Sequence, residues 1–227
     1  ASLSLGGMLG DVTAILREHP DLAGIYANNV NTSYRNLIIN AAVPATSDPM
    51  MFNVATNEAG AQLAYFRGTA TINATSIIHT GGTFPTNGGL FIDQTLNGTS
   101  AFDKWGVNPM YVAGDSSATY SQPINVYQGT LASANATAAK PYGTGNVTVY
   151  PNGNIRYAHP DNFGPSQVTI RSDRGGLGGL GIAYIGMGLP SVTWEVAAGA
   201  PTDGVIAIDT FGYNQALDMS TMSPNGT

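Results

Sequence analysis

From about Val30 onward the chain reads as a succession of about a dozen short segments rich in β-branched and aromatic residues, each closed off by Gly, Pro, Asn or Ser. They include "SYRNLIINAAV", "MMFNVAT", "TATINATSIIHT", "PINVYQG", "NVTVY", "QVTIRS", "SVTWEVAA" and "GVIAIDTF". Segments this short, with little room for helices between them, restrict the chain to strands packed on strands. The predicted fold class is all-β, as a sandwich or barrel, and a jelly roll is the common solution at this length. The clearest expected hairpin is "NVTVYPNGNIRYAH": Pro151-Asn152-Gly153 is turn chemistry, and Gly153 tolerates the positive φ that closes a tight loop.

One region reads differently. Asp11 can cap "DVTAILREH", placing Val12, Ile15 and Leu16 on one face of a short helix that Pro20 stops, and Asp21 can cap a second turn bearing Leu22, Ile25 and Tyr26. The expectation is an N-terminal helical arm over 1–29, docked on the core or on a neighbour, followed by a β domain over 30–227. The stretch 129–146, "GTLASANATAAKPYGTGN", reads as a loop or boundary, and no internal repeat is evident.

Charged residues make up only 10% of the chain, against roughly 25% in ordinary soluble domains. Hydrophobic content of 43% is ample for a core, so the chain is not of the disordered class. The charges are skewed: 11 Asp to 3 Glu, 6 Arg to 2 Lys, and a net charge of −6. No basic run exists, which argues against direct nucleic-acid binding. Asp over Glu with scarce Lys suits a protein of salty habitats, where about 1 M salt shortens electrostatic reach to roughly 3 Å.

No motif supplies a catalytic set. "GLGGLG", from Gly176 to Gly181, satisfies G-x-G-x-x-G, but Gly186, Gly188 and Pro190 spoil the helix that a dinucleotide site needs, so no cofactor is expected. The glycines then mark sharp turns or close backbone approach. "AGDSSATYS", from Ala113 to Ser121, resembles the Gly-Asp-Ser block of a serine-esterase family, yet the downstream Asp-x-x-His is missing and a turn is expected. His19, His79 and His159 stand alone, and cysteine is absent, so no zinc signature appears. With only Glu18, Glu58 and Glu195, a glycosidase would depend on Asp pairs such as Asp203 and Asp209, or on Asp161. Their parity favours loop ends. Calcium held by loop Asp and Asn oxygens has no EF-type spacing behind it. Catalytic, cofactor and metal sites are accordingly all expected to be absent.

Asn31, Asn73, Asn97, Asn135, Asn146 and Asn225 open Asn-x-Ser/Thr sequons, which matter only in an exported chain. The opening "ASLSLGG" reads as a mature N-terminus without the apolar run of a secretion signal. The uncharged run 175–194 has the length of a membrane span, but seven glycines and Pro190 make two buried strands the better expectation.

Sparse charge leaves little to cover a monomer's surface and favours burial against copies of the same chain. From "ASLSLGGMLGDVTAILREHPDL" through the strands to "TMSPNGT", the length, layout and residue bias resemble the major capsid proteins of icosahedral, internal-membrane viruses of halophilic archaea. The resemblance implies an upright single jelly roll, with an inserted β subdomain around 100–146 if this is the larger of the two related types. It implies a non-enzymatic structural subunit of the virion. Its partners would be copies of itself and a second related capsid protein, near an internal membrane, with no small-molecule substrate. The alternative is an exported β module that binds carbohydrate or another ligand, as an adhesin or phage fibre domain does, with Trp105 and Tyr111 stacking on a sugar. A hydrolase on the same fold ranks last, because its acid, base and nucleophile cannot be named.

Overall fold

A computed structural model describes residues 12–16, 23–27, 32–41, 50–56, 63–82, 89–134, 140–158, 168–172, 178–182, 192–196, 206–209 and 222–225. The chain winds as a solenoid. The first coil holds β1 (Val12–Leu16), β2 (Ala23–Ala27) and β3 (Thr32–Tyr34). The second holds β4 (Leu37–Ala41), β5 (Met50–Thr56) and β6 (Leu63–Phe66). The third holds β7 (Ala70–Ile72), β8 (Ser76–Gly82) and β9 (Gly89–Ile92). The fourth holds β10 (Leu96–Gly98), β11 (Phe102–Trp105) and β12 (Met110–Val112).

Among the described residues, later coils carry two strands each: β13 (Ile124–Val126) with β14 (Gly129–Ser133), β15 (Val147–Val149) with β16 (Gly153–Tyr157), β17 (Val168–Ser172) with β18 (Gly178–Ile182), and β19 (Val192–Val196) with β20 (Ile206–Asp209). β21 (Met222–Asn225) follows. Equivalent strands stack into three sheets: β1-β4-β7-β10, β2-β5-β8-β11-β13-β15-β17-β19-β21, and β20-β18-β16-β14-β12-β9-β6-β3.

Every strand pairing among the described residues is parallel. The all-β class therefore holds, while the jelly roll does not: that fold pairs strands antiparallel, and here each strand meets its counterpart one coil on. The expected hairpin is corrected for the same reason. β15 and β16 lie in different sheets, and the turn between them is a corner. Gly153 N donates to Tyr150 O across it (2.8 Å), and Asn152, not Gly153, takes the positive φ of 74°. Asparagine tolerates that conformation better than most side chains.

The helical arm is corrected as well. Val12–Leu16 and Ala23–Ala27 are strands, paired with β4 and β5. Apolar runs this short carry no decisive period, and a sheet edge one coil away offers their backbone ready partners. The stretch read as a loop over 129–146 begins with strand β14, and residues 135–139 lie outside the described residues. The stretch around 100–146, where an inserted subdomain was expected, carries β11 to β14 through the middle of the two long sheets.

Strand alternation sends one set of side chains inward. Ile78, Phe102, Ile124, Val126, Val147, Val149, Val168 and Ile170 line the inside of the nine-stranded sheet, facing Leu90, Ile92, Met110, Val112, Leu131 and Ile155 from the eight-stranded one. Full burial of each such side chain contributes roughly 1.5–3 kcal/mol. Among the described residues the third sheet ends at β10, and its edge is sealed by side chains. Leu96 N donates to Ser116 Oγ (2.9 Å), and Thr119 Oγ1 donates to Leu96 O (2.6 Å), so two hydroxyls stand where a further strand would bond. Beyond that point buried tyrosines fill the interior on this side. Tyr120 packs on Phe102 and donates to Ser100 O (2.9 Å), while Tyr142 meets Tyr157 edge-on and donates to Arg156 O.

Glycine serves the corners between the two long sheets. Gly129 adopts φ +69°, and a Cβ there would lie 2.3 Å from Gly106 O. At Gly153 a Cβ would lie 2.2 Å from Val126 O. Successive corners approach too closely for any side chain.

Candidate functional site

The outer face of the nine-stranded sheet carries two columns of side chains that run along the solenoid. In β11, Phe102 and Lys104 point inward, so Asp103 and Trp105 point out. The same alternation recurs on the following coils. Asp103 stands in register with Asn125, Thr148 and Thr169, and the backbone register continues to Thr193 and Ser223. Two residues along, roughly 7 Å away, come Trp105, Tyr127, Tyr150 and Arg171.

The second column is a stack. Trp105 lies on Tyr127 with ring centroids 4.8 Å apart and 15° between planes, and Tyr127 lies on Tyr150 at 4.1 Å and 16°. The Arg171 guanidinium caps Tyr150 at 5.1 Å. Burial, then the neighbouring Tyr150, pushes the Tyr127 hydroxyl well above its ordinary range, so it stays a neutral donor. Trp105, at the other end of the stack, is 38% exposed, and Val107 beside it is also exposed.

The first column is polar. Asn125 Nδ2 donates to Asp103 Oδ1 (2.8 Å). Burial raises the Asp103 carboxyl above the usual carboxylate range, and the bond from Asn125 partly offsets this. Thr148 presents a hydroxyl on the next coil, while Thr169, in register beyond it, is buried. The strip therefore offers apolar ring edges on one side and hydrogen-bonding groups on the other, repeated every 4.7–4.9 Å or so.

Beneath the strip lies a group that sequence reading did not single out. Lys104 is fully buried between Ile78 and Val126, its partners in register on either side. Its Nζ donates to Gly106 O (2.7 Å), Trp105 O (2.8 Å) and Gln128 O (2.9 Å). Burial lowers its pKa to about 7. His79 on β8 is lowered by burial and by the Lys104 charge. The available signal was the alternation in "FDKW", which puts Lys104 on the face of Phe102.

The residues singled out in sequence are dispersed. Trp105 and Tyr111 join different stacks: Tyr111 belongs to a ladder with Phe91 (5.8 Å) and Tyr65 (Phe91–Tyr65 5.0 Å) on the eight-stranded sheet, where Arg67 lies over Tyr65. Asp115 and Ser116 sit at the expected turn, and Ser116 is buried against Leu96. Gly178, Gly179 and Gly181 lie in β18, paired with β16, rather than in a loop open to phosphate. β18 and β19 also occupy parts of the run once weighed as a membrane span, and among the described residues no helix is long and apolar enough to cross a membrane. His19, His159, Glu18, Glu58, Asp161 and Asp203 lie outside the described residues. Compared with protein-family models, curated proteins and solved structures, the chain matches none.

Proposed function

We propose that this chain is a non-catalytic solenoid module that binds a linear, uncharged polysaccharide along the outer face of the nine-stranded sheet, in an extracellular or particle-surface setting. The carrying observation is the pair of columns, Trp105–Tyr127–Tyr150 beside Asp103–Asn125–Thr148. An extended saccharide repeats its ring and hydroxyls at a spacing close to that of the coils. Laid along the axis, it meets ring edges with its C–H surface and the polar column with its hydroxyls. Trp105, the exposed ring of the stack, with His79 in register beside it on β8, is the anchor. Asp103 and Arg171 balance each other across the strip, and the net charge of −6 disfavours a polyanion.

A glycan array followed by titration calorimetry tests this. Neutral linear glycans bind, and Trp105→Ala weakens binding about tenfold, the loss expected for an anchor worth roughly 1.4 kcal/mol. An array without a neutral linear glycan among its ligands refutes the reading.

The sparse charge favours a second reading, a structural subunit that packs against copies of itself and a related partner in a viral capsid. It ranks behind the first because the capsid proteins concerned are single jelly rolls. Association in molar salt and dissociation at low salt, followed by light scattering, would support it; a salt-indifferent monomer would refute it.

A further inference from the structure

We infer that the buried ammonium of Lys104 is a positioning group for the ring stack, holding through three carbonyls the two corners that carry Trp105 and Tyr127, and that loss of its proton releases them. The inference rests on the ligand-binding reading for its functional meaning, but its geometry stands alone.

An ammonium has three protons and no lone pair. All three are used on Trp105 O, Gly106 O and Gln128 O, at 2.8, 2.7 and 2.9 Å. The Trp105 carbonyl ends β11, the Gly106 carbonyl opens the corner after it, and the Gln128 carbonyl lies in the corner after β13. The backbone of Lys104 reaches the same place, since its carbonyl accepts from Tyr127 N (2.9 Å) and Gln128 N (3.4 Å). One residue thus ties together the backbone on which the first two rings stand. An aliphatic residue would suit the column better, as Ile78 and Val126 do on either side. A neutral amine keeps two protons and turns a lone pair toward the third carbonyl, so the three-way tie cannot survive deprotonation.

The surroundings supply no counter-charge among the described residues. From β8 the titratable neighbour is His79, whose pKa feels the Lys104 charge. The corner between β13 and β14 presents Tyr127, whose hydroxyl burial raises and keeps neutral, while β13, β14 and the corner 105–108 present no titratable residue. On its own strand Asp103 points to the outer face. Burial brings the Lys104 pKa to about 7, which places the release within reach of ordinary conditions.

The test uses Trp105 emission in a Trp194→Phe background. Over about pH 5.5 to about pH 9, emission should shift with a midpoint near 7. The shift should vanish with Lys104→Met and persist with His79→Gln. A flat profile, a shift that survives Lys104→Met, or one lost with His79→Gln overturns the inference. Should Lys104→Met fail to fold, the side-chain nitrogen resonance of Lys104 in the otherwise unchanged chain decides. It must titrate with the same midpoint as Trp105 emission, and a different midpoint overturns the inference. A pH-dependent Trp105 signal without glycan binding would refute the polysaccharide reading and leave the tie intact. Glycan binding with a flat signal would do the reverse.

Discussion

Stability should rise as pH increases from 7 to 9, and Lys104 should account for the rise. Its pKa falls from 10.5 to about 7 on folding because the core desolvates the charge. Between those two values the unfolded chain binds a proton that the folded chain does not, so raising pH favours the folded state. Below pH 7 both states are protonated and the full cost of burying the charge is borne. At about 1.4 kcal/mol for each tenfold change in proton affinity, that cost is about 5 kcal/mol. From pH 7 to pH 9 the recovery is roughly 2–3 kcal/mol. His79, lowered below its usual value, is already largely neutral there. Above about pH 10 the trend reverses, because burial raises Tyr120, Tyr142 and Tyr157 and only the unfolded chain then ionises them. Urea unfolding at constant salt, at pH 7, 8 and 9, measures the slope. A flat or falling profile would refute the reasoning, as would an unchanged slope in Lys104→Met. The same proton whose loss relaxes the ring-bearing corners therefore burdens the fold as a whole.

Two further substitutions probe the frame. Gly129→Ala forces a side chain into φ +69° and against the Gly106 carbonyl, and should cost about 1–3 kcal/mol or more in a thermal melt, while Gln128→Ala beside it should cost far less. Ser116→Ala removes the acceptor of the Leu96 N–H at the end of the third sheet, and should cost about 1–3 kcal/mol, with faster amide exchange at Leu96.

The strand content was legible in sequence, and so were most corners, because β-branched runs and Gly-Asn-Pro turns are local signals. Strand direction was not. "NVTVYPNGNIRY" satisfies hairpin chemistry and corner chemistry equally, and only pairing one coil away distinguishes them. The decisive pattern was present but faint. "FDKW", "INVY", "VTVY" and "VTIR" share one form, a buried residue, a polar one, a second inward position and a large outward one, and "VTWE" stands in backbone register with them. They recur at 22 (102 to 124), 23 (124 to 147), 21 (147 to 168) and 24 residues (168 to 192). The uneven spacing and the low identity within the motif hid the repeat. Trp105 was singled out as an exposed aromatic, whereas Tyr127 and Tyr150 became visible only when the coils aligned them. Lys104 went unnoticed because a lysine is ordinarily read as surface, and its neighbour Phe102 was the clue to the contrary.

Coils that touch only the turn before and the turn after make the molecule nearly one-dimensional. Evolution can then lengthen or shorten it by whole turns of about twenty-odd residues, with each added turn extending both outer columns by one step. In such a lineage the reach of the strip would be set by the number of turns, and the grip at each step by the two residues that face outward there.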